Sequence, residues 1–240
     1  MSGDFGVNIA GDGRRYSRRN HWAAAVVSAL AVTLPGAPAA GADTVDCMRV
    51  KCVALTFDDG PGPHTDRLLR ILSAHGARAT FFLIGDKVAG DPAAAARISG
   101  AGMEIGNHSW SHPDLTAIPA GDIAAQLSMA GDAIEAATGR RPTLMRAPFG
   151  KADDAVLAEA ARQGLAGIDW DVVPFDWLNG ADIAATRAAL MEQIRPNSVV
   201  LLHDTFGSTV DVVEQVLPVL QADGYHPVTV SEMLRPNPPG

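Results

Sequence analysis

Two adjacent carboxylates, Asp58 and Asp59, stand where an apolar run of β-favouring residues ends, directly before the turn-forming pair Gly60 and Pro61. Two anionic groups side by side repel each other unless a cation or a proton lies between them. Asp and Gly are also common in solvated turns, so the pair alone does not define a site. Further polar residues after other predicted strands, beginning with His108, favour a reaction centre.

Two histidines, His108 and His112, are separated by four positions. On a helix, or on a loop with a turn, this spacing places both imidazoles on one side. With Asp59 they form a set of two histidines and one carboxylate. Such a set leaves coordination positions open for water and substrate. It suits a divalent catalytic metal, with zinc favoured and cobalt, iron or another transition metal as alternatives.

The second carboxylate has a separate predicted use. If Asp59 binds the metal, Asp58 remains free to take a proton from the attacking water. Arg146 would keep Asp58 ionised by charge pairing, the alternative being an ordinary surface arginine. A rigid turn at residues 148–150 would direct the backbone N–H of Phe149 towards a developing oxyanion.

A third histidine, His203, also follows a predicted strand. We interpret it as a general acid that protonates a leaving amine or alcohol. The carboxylate of Asp176 would help to keep it protonated. A histidine buried in the core is the alternative.

Strands and helices alternate about seven times along the chain, which predicts parallel strands with helical crossovers. An open doubly wound sheet and a closed barrel both fit this order. Because the polar candidates follow many different strands, we predict a distorted, incomplete (β/α) barrel with the active site at the C-terminal ends of about seven strands. The predicted strands cover residues 53–57, 79–84, 103–106, 143–145, 165–173, 198–202 and 228–230. The predicted helices cover residues 65–76, 119–138, 153–163, 182–194 and 209–222, and a further helix opens at Asp91 and Pro92.

The bulk composition bounds the function. With 240 residues, 47% of them hydrophobic, the chain can bury one substantial core, so one catalytic domain is the simplest interpretation. The formal net charge of −8 and the lack of a basic stripe argue against nucleic acid as a partner. We expect a monomer.

The first 42 residues resemble a secretory signal peptide. Arginines at 14, 15, 18 and 19 precede an apolar run over residues 22–34, and small residues follow up to Ala42. Cleavage after Ala40 or Ala42 would leave a catalytic domain over residues 43–240, with no stable membrane span. An uncleaved anchor is the alternative. We expect an exported protein, extracellular or associated with the cell wall.

The chain has two cysteines, Cys47 and Cys52, just after the expected cleavage site. In an exported protein, a disulfide between them is favoured over metal binding, because no further cysteine completes a metal knuckle.

Five motifs taken together resemble the polysaccharide deacetylase family, the carbohydrate esterases with a NodB homology domain. They run in order through most of the chain after the leader. The motifs are residues 56–61 (TFDDGP), 108–112 (HSWSH), 146–150 (RAPFG), 171–177 (ending in Asp176 and Trp177) and 201–203 (LLH).

This resemblance implies the same roles for these residues as their types and spacing do. Asp58 would be the base, His203 the acid, and Asp59 would bind metal with His108 and His112. Arg146 would orient Asp58, and Asp176 would tune His203. The resemblance further implies that Trp177 and Leu201 line the groove for the acetyl methyl group.

The chain departs from the family pattern at two positions. Phe149 stands where a tyrosine is usual, which removes a hydroxyl but keeps the backbone N–H. Phe206 stands near the position where a second histidine often occurs, which puts substrate preference in doubt.

The predicted function is metal-dependent removal of N-acetyl groups from glycans that contain N-acetylglucosamine. Peptidoglycan is the first candidate substrate and chitin oligomers the second. An O-acetyl esterase acting on xylan and a non-catalytic glycan-binding module are the alternatives. A glycosidase is disfavoured, because adjacent residues of a strand project to opposite faces and the histidines would go unused.

Overall fold

The structure is a computed structural model that describes residues 45–235. A central strand, β1 (Lys51–Gly60), is buried from Cys52 to Asp58. Because both of its faces are covered, it reads in sequence as a nearly continuous apolar run. It pairs in parallel with β2 (Thr80–Leu83) on one side and with β6 (Ser198–His203) on the other. Beyond β2 the sheet continues through β3 (Glu104–Asn107) and β4 (Leu144–Met145) to β5 (Ala166–Gly167), so the order is β5-β4-β3-β2-β1-β6. A short β7 (Tyr225–Pro227) pairs with the start of β1.

The remaining elements alternate along the chain as the sequence pattern predicts. The other strands are β2 (Thr80–Leu83), β3 (Glu104–Asn107), β4 (Leu144–Met145), β5 (Ala166–Gly167), β6 (Ser198–His203) and β7 (Tyr225–Pro227). The helices are α1 (Thr65–Ala74), α2 (Gly85–Gly90), α3 (Pro92–Gly100), α4 (Ala120–Thr138), α5 (Asp154–Arg162), α6 (Asp176–Asn179), α7 (Ile183–Gln193), α8 (Gly207–Ala222) and α9 (Val230–Met233).

The seven-stranded sheet almost closes on itself, which confirms the predicted incomplete barrel. β5 pairs with β4 at one edge, and Val172, a few residues later, forms an isolated bridge with Val200 of β6 at the other edge. The strand predicted over residues 165–173 is therefore wrong in length. The carbonyls of Ile168 and Asp169 accept hydrogen bonds from the side chain of Arg146 instead of from a neighbouring strand.

The chain after β7 also differs from the prediction. The strand predicted at residues 228–230 is displaced to Tyr225–Pro227, and a short helix, α9, begins at Val230. Thr229 and Glu232 form a reciprocal capping box, in which each side chain accepts from the other residue's backbone N–H. That local helix signal outweighs the β-favouring composition. The short helix α2 was not predicted.

Alternation along β1 separates the core from the barrel interior. Val53, Leu55 and Phe57 pack in the large cluster beneath the helices, while Ala54 lies in a second cluster inside the barrel. Thr56 and Asp58 follow Ala54 at the same two-residue period. The interior column therefore becomes polar towards the C-terminal end of the strand.

The predicted disulfide is present. Cys47 and Cys52 are bonded, with their Cα atoms 5.4 Å apart, and the bond joins the start of β1 to the preceding turn. Within residues 45–235, each helix is too short or too polar to cross a bilayer. The predicted leader lies outside the described residues.

Close packing of β3 against β2 generates a first prediction. An ideal Cβ at Gly106 would lie 2.4 Å from a ring carbon of Phe82, whereas one at Gly121, in α4, would meet nothing within 4 Å. We expect Gly106→Ala to lower the free energy of unfolding by about 1–3 kcal/mol through overpacking. The matched control, Gly121→Ala, should raise it by about 0.5–1 kcal/mol. Chemical denaturation measures both, and equal effects of the two variants would contradict this account.

Candidate active site

The predicted site residues converge at the C-terminal ends of β1, β3, β4 and β6. They surround a cleft of about 430 Å³. Arg146 and Asp176 lie buried behind its walls. The cleft is lined by Asp58, Asp59, His108, His112, Ala147, Phe149, Gly150, Trp170, Trp177, Leu201, His203 and Phe206.

Asp58 and Asp59 both face this cleft, although they are adjacent on one strand. The pairing of β1 with β2 shifts register between Asp58 and Gly60, and Asp59 adopts a left-handed backbone with φ 68°. This irregularity turns the second carboxylate to the same side as the first. The prediction that the two adjacent carboxylates project to opposite faces is therefore wrong, and only the use of the histidines disfavours a glycosidase.

Asp59, His108 and His112 each direct one ligand atom towards a common point. Oδ1 of Asp59 lies 3.4 Å from Nε2 of His108 and 3.3 Å from Nε2 of His112. All three ligand atoms lie within 4.8 Å of one another. Oδ1 of Asp59 is buried and has no hydrogen-bond partner. A buried carboxylate oxygen beside two imidazole nitrogens fits a divalent metal, which would satisfy the oxygen.

The protonation states of these groups suit ligation. Burial raises the pKa of Asp59, but the adjacent imidazole of His108 and the charges of His112 and His203 outweigh it and lower the pKa to about 2. Burial and the neighbouring His108 lower the pKa of His112, against the opposing charges of Asp59 and Asp58. Asp59 is thus a carboxylate at neutral pH, and the neutral form of His112 is favoured.

A backbone carbonyl fixes the tautomer of His108. Its Nδ1 lies 2.8 Å from the carbonyl oxygen of Arg146. Because a carbonyl only accepts, Nδ1 carries the proton and Nε2 presents its lone pair to the metal position.

The histidine pair lies on a tight loop after β3, not on a helix. Ser109 and His112 have left-handed backbones, with φ 63° and 59°. The N–H of Ser109 donates to the side chain of Asn107, and the N–H of His112 donates to Oγ of Ser109. Gln126 of α4 accepts from the two intervening N–H groups. These bonds hold the two imidazoles at the same side of the loop.

Arg146 occupies the barrel interior and is 1% exposed. Its Nη1 donates to Oδ1 of Asp58 at 2.9 Å and to Oγ1 of Thr56 at 2.6 Å. The guanidinium lies over the ring of Phe82 at 4.3 Å. Burial lowers its pKa, and the charge and hydrogen bond of Asp58 oppose that shift. The prediction that Arg146 pairs with Asp58 is consistent with this geometry.

His203 stands across the cleft from the histidine pair. Its Nδ1 lies 3.0 Å from Oδ1 of Asp176. Asp176 is held in turn by the backbone N–H of His203 and the hydroxyl of Thr209, both of which donate to Oδ2 at 2.8 Å. Burial lowers the pKa of His203, but the hydrogen bond and charge of Asp176, with the charges of Asp58 and Asp59, raise it overall.

The remaining predicted residues form the cleft walls. Phe149 has a left-handed backbone with φ 61°, and its exposed ring contacts the edge of His112 at 4.6 Å between centroids. The ring centroids of Trp177 and His203 are 5.3 Å apart. Leu201 is buried at the end of β6, beside His203.

Several residues that support the site have no role in the sequence-based prediction. Trp170 lines the cleft and stacks on Arg146, and Thr56 shares the guanidinium with Asp58. Asp204 is fully buried, accepts from the hydroxyl of Thr65 and has one oxygen without a partner. Burial raises the pKa of Asp204 to about 6, against the opposing hydrogen bond from Thr65. Only Thr56 had a signal in the sequence, as a polar residue two positions before Asp58.

The different surroundings of the two aspartates generate a second prediction. Asp59→Asn should weaken Zn²⁺ binding at least tenfold, because it replaces a charged ligand oxygen with a neutral one. Asp58→Asn, the matched control, should keep Zn²⁺ affinity within a few-fold. Calorimetric titration and metal content after dialysis measure both. If both variants lost zinc equally while their circular dichroism stayed native, the separation of roles would be wrong.

Comparisons with known proteins agree with the motifs. A sequence model for polysaccharide deacetylases matches residues 46–168. The peptidoglycan-N-acetylmuramic acid deacetylase PdaC of Bacillus subtilis is 35% identical over 192 residues, which cover 80% of this chain and 40% of that protein. A chitooligosaccharide deacetylase of Bradyrhizobium is 36% identical over 202 residues, 76% of this chain and 91% of that protein. The chain thus spans well under half of the first relative and nearly all of the second.

Solved structures give the same result. The structure of PdaC from Bacillus subtilis superposes with a TM-score of 0.74, covering 79% of this chain and 92% of that one at 35% identity. A family pseudoenzyme from Bacillus anthracis superposes equally well, with a TM-score of 0.74 at 31% identity over 78% of this chain and 66% of that one. The fold therefore does not decide activity by itself. By its matched sequence model, its relatives and its fold, this chain belongs to the polysaccharide deacetylase family.

Proposed function

We propose that this protein is a metal-dependent deacetylase that hydrolyses the acetamido groups of glycans containing N-acetylglucosamine. One observation carries the proposal. A set of three ligands, Asp59, His108 and His112, shares one cleft with a paired carboxylate, Asp58, and with a histidine–carboxylate pair across from it.

The ligand set suits zinc best, with cobalt or another transition metal as the alternative. When bound, a divalent cation of this kind polarises an acyl carbonyl and lowers the pKa of water. Asp59 supplies the anionic ligand, and His108 and His112 supply neutral ones.

Asp58 acts as the general base. Its Oδ1 is held by Arg146, which leaves Oδ2 on the side of the metal ligands, 3.8 Å from Nε2 of His108. From there Asp58 takes the proton of the attacking water as the water oxygen bonds to the acetyl carbon. Arg146 fixes the direction of the carboxylate and favours its ionised form.

The cleft walls position the acetyl group. The backbone N–H of Phe149, in its left-handed turn, stabilises the oxyanion that forms at the carbonyl oxygen. Trp177 and Leu201 enclose the methyl group, because both present apolar surface beside His203.

His203 completes the reaction as the general acid. Its Nδ1 faces Asp176, which leaves Nε2 to deliver a proton to the leaving nitrogen as the C–N bond breaks. The products are acetate and the free amine. Protonation is essential because an amine anion is a poor leaving group.

The raised pKa of His203 generates a third prediction. Since the protonated imidazole is the active form, activity should fall as pH rises through this pKa. Asp176→Asn removes the group that chiefly opposes burial, so the alkaline limb of kcat/KM should move to lower pH. The measurement is a pH profile of acetate release at saturating zinc.

Thr209→Val is the matched control for that shift. It removes one hydrogen bond to Asp176 but keeps the carboxylate charge. A less stabilised carboxylate holds the imidazole proton at least as strongly, so the limb should stay or move upward. If the alkaline limb moved to lower pH in both variants, or did not move in Asp176→Asn, the carboxylate of Asp176 would not be the group that raises the pKa of His203.

Peptidoglycan is the first candidate substrate and chitin oligomers the second. The named activities of the two relatives support both. An O-acetyl esterase acting on xylan is the alternative within the same chemistry. A non-catalytic module is disfavoured, because the chain keeps Asp58, Asp59 and both metal histidines in one geometry.

We further propose that residues 1–42 are an export leader and that the protein works outside the cytoplasm, at or beyond the cell wall. The Cys47–Cys52 disulfide supports an oxidising compartment.

The fourth prediction tests the proposed function. Acetate release should be seen with peptidoglycan or chitin oligomers, should stop after chelation and should return with zinc. Acetylxylan should react more slowly. Turnover by metal-free protein, shown by elemental analysis, would refute the metal role, and a preference for acetylxylan would establish the esterase alternative.

A further inference from the structure

A phenylalanine next to the cleft has a left-handed backbone conformation. Phe175 immediately precedes α6, which carries Asp176, and has φ 57° and ψ 40°. Glycine or asparagine adopts that backbone more easily than a bulky side chain does.

Burial of the phenyl ring does not offset the cost of this left-handed backbone. The residue is 45% exposed, so much of its apolar surface remains in water. The side chain therefore occupies a conformationally unfavourable position and lacks the compensation that a core phenylalanine receives.

Left-handed residues other than glycine concentrate around this cleft. Within residues 45–235 there are six, and four of them lie in the site loops: Asp59, Ser109, His112 and Phe149. Asn197 is in the turn before β6, where asparagine is a common left-handed residue. Phe175 is the remaining one, and strained residues of this kind gather at ligand sites.

The ring of Phe175 extends an aromatic wall that begins inside the cleft. The ring centroids of Phe206 and His203 are 6.0 Å apart, those of His203 and Trp177 are 5.3 Å apart, and those of Trp177 and Phe175 are 5.6 Å apart. Phe206, His203 and Trp177 line the cleft, whereas Phe175 lies beyond its lining. Phe175 therefore lies beyond the three cleft-lining rings, on the side where a neighbouring unit of a glycan would follow.

We propose that Phe175 is a specificity residue that stacks against the sugar next to the one being deacetylated. This inference rests on the proposed function. The C–H groups on one face of a pyranose ring pack on an aromatic face, while the hydroxyl groups at its edge stay in water. A half-exposed ring that continues the cleft wall suits this contact, and it makes the enzyme prefer oligomers to monomers.

The fifth prediction compares chain lengths. N-acetylglucosamine and its dimer, trimer, tetramer and hexamer are assayed with the zinc-loaded full chain. Phe175→Asn suits the left-handed backbone but removes the ring, and it should lower kcat/KM for the longer oligomers roughly three- to tenfold, mainly through KM. The monomer should react as with the wild type. Phe175→Tyr, which keeps the ring, should behave like the wild type at every length, and Phe175→Gly is a second ring-free variant.

Two controls separate stacking from structural damage. Met129→Ala removes a comparably exposed apolar side chain, 43% exposed on α4 and outside the cleft lining, and should change no substrate. The alkaline limb of the pH profile should stay in place in Phe175→Asn, because Asp176 is undisturbed. The proposal would be overturned if Phe175→Asn shifted the alkaline limb of the pH profile, or if it lowered kcat/KM equally for the monomer and the hexamer.

Calorimetric measurement of oligomer binding distinguishes failure of the proposed deacetylase reaction from failure of the stacking role of Phe175. Length-dependent binding that Phe175→Asn weakens, in a wild type without turnover, would refute the proposed reaction and keep the stacking role. Turnover on all lengths with no effect of Phe175→Asn would refute the stacking role alone. Absence of both binding and turnover in the wild type would refute both.

Discussion

The buried guanidinium of Arg146 is the interaction on which both the barrel and the site depend. It lies inside the barrel and donates to Asp58 and Thr56 of β1 and to the carbonyls of Ile168 and Asp169. A charge at this depth is tolerable only with such partners. Across the barrel interior, this side chain thus ties β1 to the segment after β5, while the edge towards β6 is joined by the backbone bridge between Val172 and Val200.

The same residue links the two halves of the site. Its side chain orients Asp58, and its backbone carbonyl sets the tautomer of His108. Around this link, the left-handed backbones of Asp59 and His112 turn ligand atoms inward at a conformational cost. Asp204, Thr65 and the N–H of Gly62 form a chain of hydrogen bonds that holds the loop after Asp59 against the end of β6. The buried hydrogen bond between Thr65 and Asp204 therefore helps to hold the left-handed backbone of Asp59 in place.

Much of this arrangement could be predicted from the sequence, because strand ends and turn residues are local signals. The parallel alternation, the helix that begins at Pro92, the helix that ends at Thr138 and the disulfide are all predicted and present. The shortness of β5 could not be predicted, since it depends on the distant Arg146. The register shift that brings Asp59 beside Asp58 was also missed, because alternation holds only while the strand remains regular.

Function and stability make opposite demands on the barrel interior. Ala54, Phe82 and Leu144 fill its lower part with apolar surface, whereas Thr56, Arg146 and Asp58 make its upper part polar. Replacing a buried ion pair with packed apolar residues of similar volume is often neutral or stabilising. The polar column is therefore better explained by the chemistry at its end than by folding. It presents one oriented carboxylate beside the proposed metal ligands, and the Asp176–His203 pair lies across from it, so the proposed base and the proposed acid are separated by the width of one cleft.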